Sequence, residues 1–212
     1  MFQISISPEE IASLELASFP GEIVVIDREG EALEQAVRYL KQQKVLGFDT
    51  ETRPTFSQDQ RPFGTALLQL SGPGKAFLFR VKKCGLPPSL QGLLASPKVL
   101  KVGAATLDDV RGLQKIRRFQ ARGFVDLQSL VWEYGIRDKS VKKMAAIILG
   151  VKISKAQQLS NWEAAQLSEG QQRYAATDAW VCREMYLKLL ASEKNPLSPE
   201  QLYPERYGQN NP

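Results

Sequence analysis

The sequence contains no histidine. This excludes Ser-His-Asp and Cys-His catalysis, His-ligated zinc and any imidazole general base. Whatever chemistry the chain performs falls to carboxylates, Tyr, Lys, Ser or Cys. Cysteine is scarce. Cys84 and Cys182 lie far apart with no CxxC spacing, which points to a reducing compartment and no structural zinc. Long hydrophobic runs are missing too. MAAIILGV (144–151) is the longest notable apolar stretch, well short of the ~20 residues a membrane-spanning helix needs. The opening MFQISISPEE lacks the basic and hydrophobic regions of a secretory signal. Together these absences predict a soluble, cytoplasmic protein with no membrane partner.

The 212 residues are 43% hydrophobic, enough to build one sizeable core. The net charge of +5 suits a polyanion partner, although many proteins without one are as basic. Ser7 caps and Pro8 opens a short helix over 7–14. EIVVI (22–26) reads as a strand, and apolar positions 33, 36, 37 and 40 make 31–43 a helix. VLGFDTE (45–51) is the next strand. Two further strands, 65–71 and 75–81, flank Gly72-Pro73-Gly74 as a hairpin. A short helix (89–95), a strand (98–103), a helix from Thr106 and a short strand (124–126) follow. Helices are expected over 127–134, 139–149, 162–166 and 168–191. The pattern predicts an α/β domain with a mixed sheet. Residues 1–21 read as an N-terminal helical extension, 22–192 as the main domain and 193–212 as a Pro-rich tail, extended or frayed.

Three stretches carry chemistry. In VLGFDTETRP, residues two apart share a face of the strand. Leu46, Phe48 and Thr50 point one way; Gly47, Asp49 and Glu51 point the other, at the C-terminal end where α/β sheets place ligands. Gly47 leaves space below the acids for something to approach. Adjacent carboxylates repel, and a divalent cation with hard oxygen ligands removes that penalty. A solvated strand end would read the same way. In LKVGAATLDDVRGL, Thr106 and Asp109 resemble a capping box, and periodicity does not choose between Asp108 and Asp109. In QRYAATDAWVCREMY, Tyr174 and Asp178 are four apart on one helical face, so the phenol can hydrogen-bond to whatever the acid holds.

FDTE, KVGAATLDD and YAATD, in this order, resemble the DEDDy 3′–5′ exonucleases, above all ribonuclease D and the Werner-type exonuclease domain. LLQLS (67–71), DLQSL (126–130) and QQLSNWEAAQLSEGQQRYAATDA (157–179) support the likeness, which runs from about Glu22 to Leu190. The resemblance implies a ribonuclease H-like fold, with 22–192 as the exonuclease domain. It selects Asp109 over Asp108. It assigns Asp49, Glu51, Asp109 and Asp178 to two divalent cations, Mg²⁺ or Mn²⁺, and Tyr174 to catalysis. Asp49 would bridge both ions, Glu51 and Asp178 would complete the first site, and Asp109 would reach the second through water. The implied partner is single-stranded or 3′-recessed DNA or RNA.

Thr50 would approach the terminal nucleotide through its backbone, again by resemblance. Arg53 and Arg61, beside the loop after this strand, could meet phosphates or remain solvated. Lys139, Lys142, Lys143, Lys152 and Lys155 could form a backbone-binding rim or a solvated face. Trp162 reads as core. The competing reading is a nucleic-acid-binding or scaffold protein that keeps the fold without the activity.

Overall fold

The structure, a computed structural model, describes residues 1–55 and 63–207. In chain order the elements are α1 (Pro8–Ser13), β1 (Glu15–Leu16), β2 (Glu22–Ile26), α2 (Glu31–Lys41), β3 (Val45–Thr52), β4 (Thr65–Ser71), β5 (Lys75–Phe79), α3 (Val81–Cys84) and α4 (Pro88–Leu94). Then come β6 (Leu100–Gly103), α5 (Thr106–Ile116), β7 (Phe124–Asp126), α6 (Leu127–Leu130), a 3₁₀ turn (Val131–Tyr134), α7 (Val141–Leu149), β8 (Val151–Lys152), α8 (Glu169–Leu190), α9 (Pro199–Leu202) and α10 (Pro204–Tyr207). Six strands form a mixed sheet in the order β2-β5-β4-β3-β6-β7. β4 runs antiparallel to both neighbours, whereas the outer pairings are parallel. The β4–β5 hairpin turns at Gly72–Gly74, as its sequence predicts.

Each face of the sheet buries a different helical layer. On one side Leu46, Phe48, Leu68 and Leu70 join Leu33, Val37 and Leu40 of α2, Leu90 and Leu93 of α4, and Val110 and Leu113 of α5. On the other, Leu67 and Leu78 meet Ala175 of α8, while Val102 of β6 meets Val181 and Cys182. The small residues of α8 let its backbone lie directly on the sheet. Gly47 belongs to that contact: a Cβ there would sit 1.8 Å from the Ala179 carbonyl oxygen. The space that its sequence context reserves for a ligand is filled by α8 itself.

Lys101 of β6 is fully buried, yet its ammonium reaches the carbonyls of Leu93, Ser96, Val99 and Arg122. It ties the end of α4 to the entry of β7, satisfying chain ends that no strand pairs. Burial lowers its pKa to about 8.

Several expected elements differ. Residues 162–166 form turns rather than a helix, because Trp162 and Ala164 close short backbone loops onto Ser160 and Asn161. The 127–134 segment breaks into α6 and a 3₁₀ turn that ends at Gly135, in the left-handed region at φ 82°. β5 stops at Phe79, and α3 follows. The tail is docked, not frayed, through residue 197: Asn195 and Leu197 donate their N–H groups to Glu133 and Trp132, and Leu197 is buried. Among the described residues no helix is long and apolar enough to cross a membrane.

Candidate active site

β3 carries Asp49 and Glu51 on the α8 side of the sheet. The register of β3 against β4 shifts between Glu51 and Thr52, a bulge that ends regular pairing beside the acids. α8 opens with a capping box between Ser168 and Gln171, which fixes its start. One turn and then two further on, it presents Tyr174 and Asp178. Carboxylate oxygens of Asp49, Glu51 and Asp178 lie within 4.8 Å of one another. The Tyr174 phenol lies close enough to Asp178 to hold that carboxyl's pKa down, and its ring packs beside the buried Trp162 at a centroid distance of 6.0 Å.

The fourth acid comes from the opposite layer. Asp109, in the first turn of α5, accepts a 2.5 Å hydrogen bond from the Thr50 hydroxyl. The site therefore straddles the C-terminal end of β3, with α8 on one side and α5 on the other. Asp108 points to solvent and pairs with Arg111. Of the two acids that periodicity leaves open, Asp109 lies against β3 and Asp108 does not. Asp109 stands apart from the cluster of three oxygens, adjoining it through Thr50.

Thr106 is not the cap that its spacing suggests. The cap position is Ala105, held in the left-handed region at φ 56°. Asp126, at the end of β7, accepts from the N–H groups of Ala105, Thr106 and Gln128. One carboxylate thus anchors the starts of α5 and α6, and through α5 it positions Asp109. Sequence reading misses Asp126 because its partners are distant in the chain; its place in DLQSL is the only hint.

Repulsion dominates the electrostatics. Burial raises the Asp49 pKa well above the usual carboxylate range, and Asp178 and Asp109 push it further. Burial and the Asp49 charge lift Glu51 to about 10. Burial also raises Asp178 to about 7, although the Tyr174 hydrogen bond and Lys155 pull the other way. Asp109 rises to about 6, through burial offset by Thr50. The Tyr174 phenol is driven upward by burial and by Asp178. The cluster carries protons at neutral pH unless positive charge compensates it. Hard oxygen donors in this arrangement fit a divalent cation.

Asp49, Glu51 and Asp178, but not Asp109, line a cavity of about 310 Å³ together with Ser140, Lys142, Ser154, Lys155 and Gln158. An apolar cavity of about 250 Å³, walled by Leu16, Ala17 and Ala156, shares Tyr174 and Asp178 with it. Of the five lysines singled out in the sequence, Lys142 and Lys155 reach the site. Lys143 pairs with Asp138, Lys152 donates to the Ala12 carbonyl, and Lys139 lines neither cavity. Arg53 lies over the Phe63 ring at 4.7 Å, outside the cavity. Arg61 falls outside the described residues. The Thr50 N–H is engaged by Asp49 Oδ1, and its hydroxyl by Asp109.

Sequence reading also gives no role to Gln69. It pairs directly with Asp49 across β3 and β4, so the two side chains share a face. Its amide is fully buried, and neither polar atom has a hydrogen-bond partner among the described residues.

Asp49 and Glu51 at the end of β3, Asp178 from one helical layer and Asp109 adjoining from the other define the class: a mixed α/β fold with a carboxylate cluster suited to a divalent cation. A family model described as 3′–5′ exonuclease matches residues 24–192, and the chain belongs to that family. Exonuclease 3′-5′ domain-containing protein 2 of Mus musculus is 31% identical over 195 residues, covering 84% of this chain and 29% of that protein. Ribonuclease D of Gluconacetobacter diazotrophicus is 28% identical, covering 82% and 44%. The chain thus spans less than half the length of these relatives. Among solved structures, ribonuclease D of Trypanosoma brucei in complex with RNA U12 aligns with a TM-score of 0.72 at 20% identity, over 89% of this chain and 70% of that one. Escherichia coli ribonuclease D gives 0.69 at 22%, over 88% and 49%. These likenesses place the fold among the ribonuclease H-like exonuclease domains.

Proposed function

We propose that the chain is a divalent-cation-dependent 3′–5′ exonuclease of the DEDDy type, acting in the cytoplasm on single-stranded or 3′-recessed nucleic acid. The observation that carries this reading is the convergence of Asp49, Glu51 and Asp178 oxygens within 4.8 Å, beside Tyr174. Asp49, Glu51 and Asp178 would hold one Mg²⁺ or Mn²⁺, and Asp109 would share a second with Asp49. When bound, such ions lower the pKa of a water and stabilise the leaving oxygen of a phosphodiester.

The side chains do the rest. Tyr174 remains a neutral phenol, since burial and Asp178 oppose its ionisation. It orients the attacking water as a hydrogen-bond acceptor while donating to Asp178; it does not remove the proton. Lys142 and Lys155 line the same cavity as the acids and meet the phosphate that enters it. Thr50 keeps Asp109 aimed at the site. Arg53, at the exit of β3, guides the strand toward it. The free, buried Cys84 and Cys182 suit a reducing compartment.

The test is incubation with matched 3′-recessed DNA and RNA oligonucleotides and Mn²⁺, with Asp49→Asn as control. A ladder of products shortened from the 3′ end, absent in the variant, is expected. A gel shift without shortening would make the chain a nucleic-acid binder instead, and the DNA and RNA arms identify the polymer.

A further inference from the structure

The stretch RGLQKIRRFQAR, from Arg111 to Arg122, contains Arg111, Lys115, Arg117, Arg118 and Arg122 and no acid. It forms the outer part of α5 and the loop beyond. A groove of about 1460 Å³ runs along it, lined by Arg111, Lys115, Arg117, Arg118 and the half-buried Phe119. A second groove of about 710 Å³ shares Gly112, Lys115 and Ile116 with the first and adds Lys82, Lys83 and Gly64. The acids lining the two grooves are Asp108 and Glu29. Asp108 is taken by Arg111, and Lys82 by Glu163. Lys115, Arg117 and Arg118 are exposed, and no carboxylate lies within ion-pair distance of them among the described residues.

Three neighbouring cations repel one another, and among the described residues only the C-terminal end of α5, where Lys115 and Arg117 sit, offsets that cost in part. The grooves also adjoin the end of β3. Gly112 lies against Thr65, which pairs with Thr52 at the end of β3. Asp109 and Arg117 bracket the same helix, eight positions apart. At ~1.5 Å per residue that is about 12 Å. For a strand stacked as in B-form DNA, with ~3.4 Å between successive nucleotides, that is about four nucleotides.

We infer that this grooved face of α5 binds the phosphodiester backbone of the substrate strand, from about four nucleotides upstream of the reacting 3′ end. The inference rests on the exonuclease reading. Lys115, Arg117 and Arg118 each meet a phosphate, while Phe119 and Ile116 supply apolar surface for bases. Affinity then depends on substrate length, whereas the chemistry at the terminus does not.

The test compares the wild type with a Lys115→Glu, Arg117→Glu, Arg118→Glu triple variant. Fluorescence anisotropy in a salt series measures binding of single strands of about 3 and about 20 nucleotides. Turnover of a dinucleotide with Mn²⁺ measures the chemistry. The expected result is binding of the longer strand at least ~10-fold weaker in the variant, with a log–log salt slope smaller by about 2. Binding of the short strand and dinucleotide turnover stay unchanged. A Gln triple variant with wild-type thermal stability should show a smaller loss in the same direction, separating lost contacts from misfolding. Equal affinity and slope for the longer strand in wild type and both variants would overturn the inference. A wild type that binds with this length and salt dependence but shortens no substrate supports the groove and refutes the nuclease reading.

Discussion

Asp178 works against the stability of the fold that holds it. Without a cation, its carboxyl is moved by burial from 3.8 to about 7. A proton is bound more tightly in the folded chain than in the unfolded one. The stabilisation from that proton is therefore complete below about pH 4 and is lost as pH rises through about 7. Ionising Asp178 against this shift costs on the order of 4 kcal/mol. Local relaxation and the effective dielectric of a site open to water leave about 2 kcal/mol. Asp178→Asn cannot ionise, and its amide oxygen still accepts from Tyr174. At ~2–4 °C per kcal/mol for a chain of this size, the variant should melt about 4–8 °C above the wild type near pH 8 in EDTA. The gap should close near pH 4. Saturating Mn²⁺ should reverse the order, since a ligand at ~100-fold its Kd adds about 2.7 kcal/mol to the protein that binds it. Differential scanning fluorimetry across pH, with and without metal, reads all three. A variant less stable than the wild type near pH 8 in EDTA, or a gap independent of pH, would refute the reasoning.

Gly47→Ala should drive α8 off the sheet, because the new Cβ would sit 1.8 Å from the Ala179 oxygen. Relieving that contact takes about 1.5 Å, which should destabilise the fold by ~3 kcal/mol and reduce turnover at least ~100-fold in a chemical-denaturation and single-turnover comparison. Lys101→Met removes the donor from four buried carbonyls and should lower stability by ~2–4 kcal/mol in urea titration; a change below ~0.5 kcal/mol would contradict the structural role. Gln69→Met replaces a buried, unpartnered amide with an apolar side chain of similar length. It should raise stability by about 1 kcal/mol, and a fall would show that the amide is hydrogen-bonded in solution.

What the sequence reveals depends on the distance over which each signal acts. The alternation in VLGFDTE and the four-residue spacing of Tyr174 and Asp178 are local, and the structure keeps both. The α/β alternation and the hairpin turn likewise yield the mixed sheet and its antiparallel centre. The contacts that assemble the site are not local. Gly47 reads as room for a ligand because nothing nearby in the chain shows that Ala179 will fill it. Thr106 reads as a cap because Asp126, twenty residues on, gives no sign of taking its place. That Asp109 arrives from the layer opposite Asp178 follows from sheet topology, which no periodicity encodes. The buried Lys101 looks like any surface lysine until its carbonyl partners are assembled around it.

The central claim is that the oxygens of Asp49, Glu51 and Asp178 together hold a divalent cation. Anomalous scattering from a crystal soaked in Mn²⁺ tests it most directly. The expected result is a peak ~2.0–2.4 Å from carboxylate oxygens of all three residues, absent in Asp49→Asn. An ordered site with no anomalous peak at saturating Mn²⁺, or a peak bound elsewhere in the cavity, would contradict it.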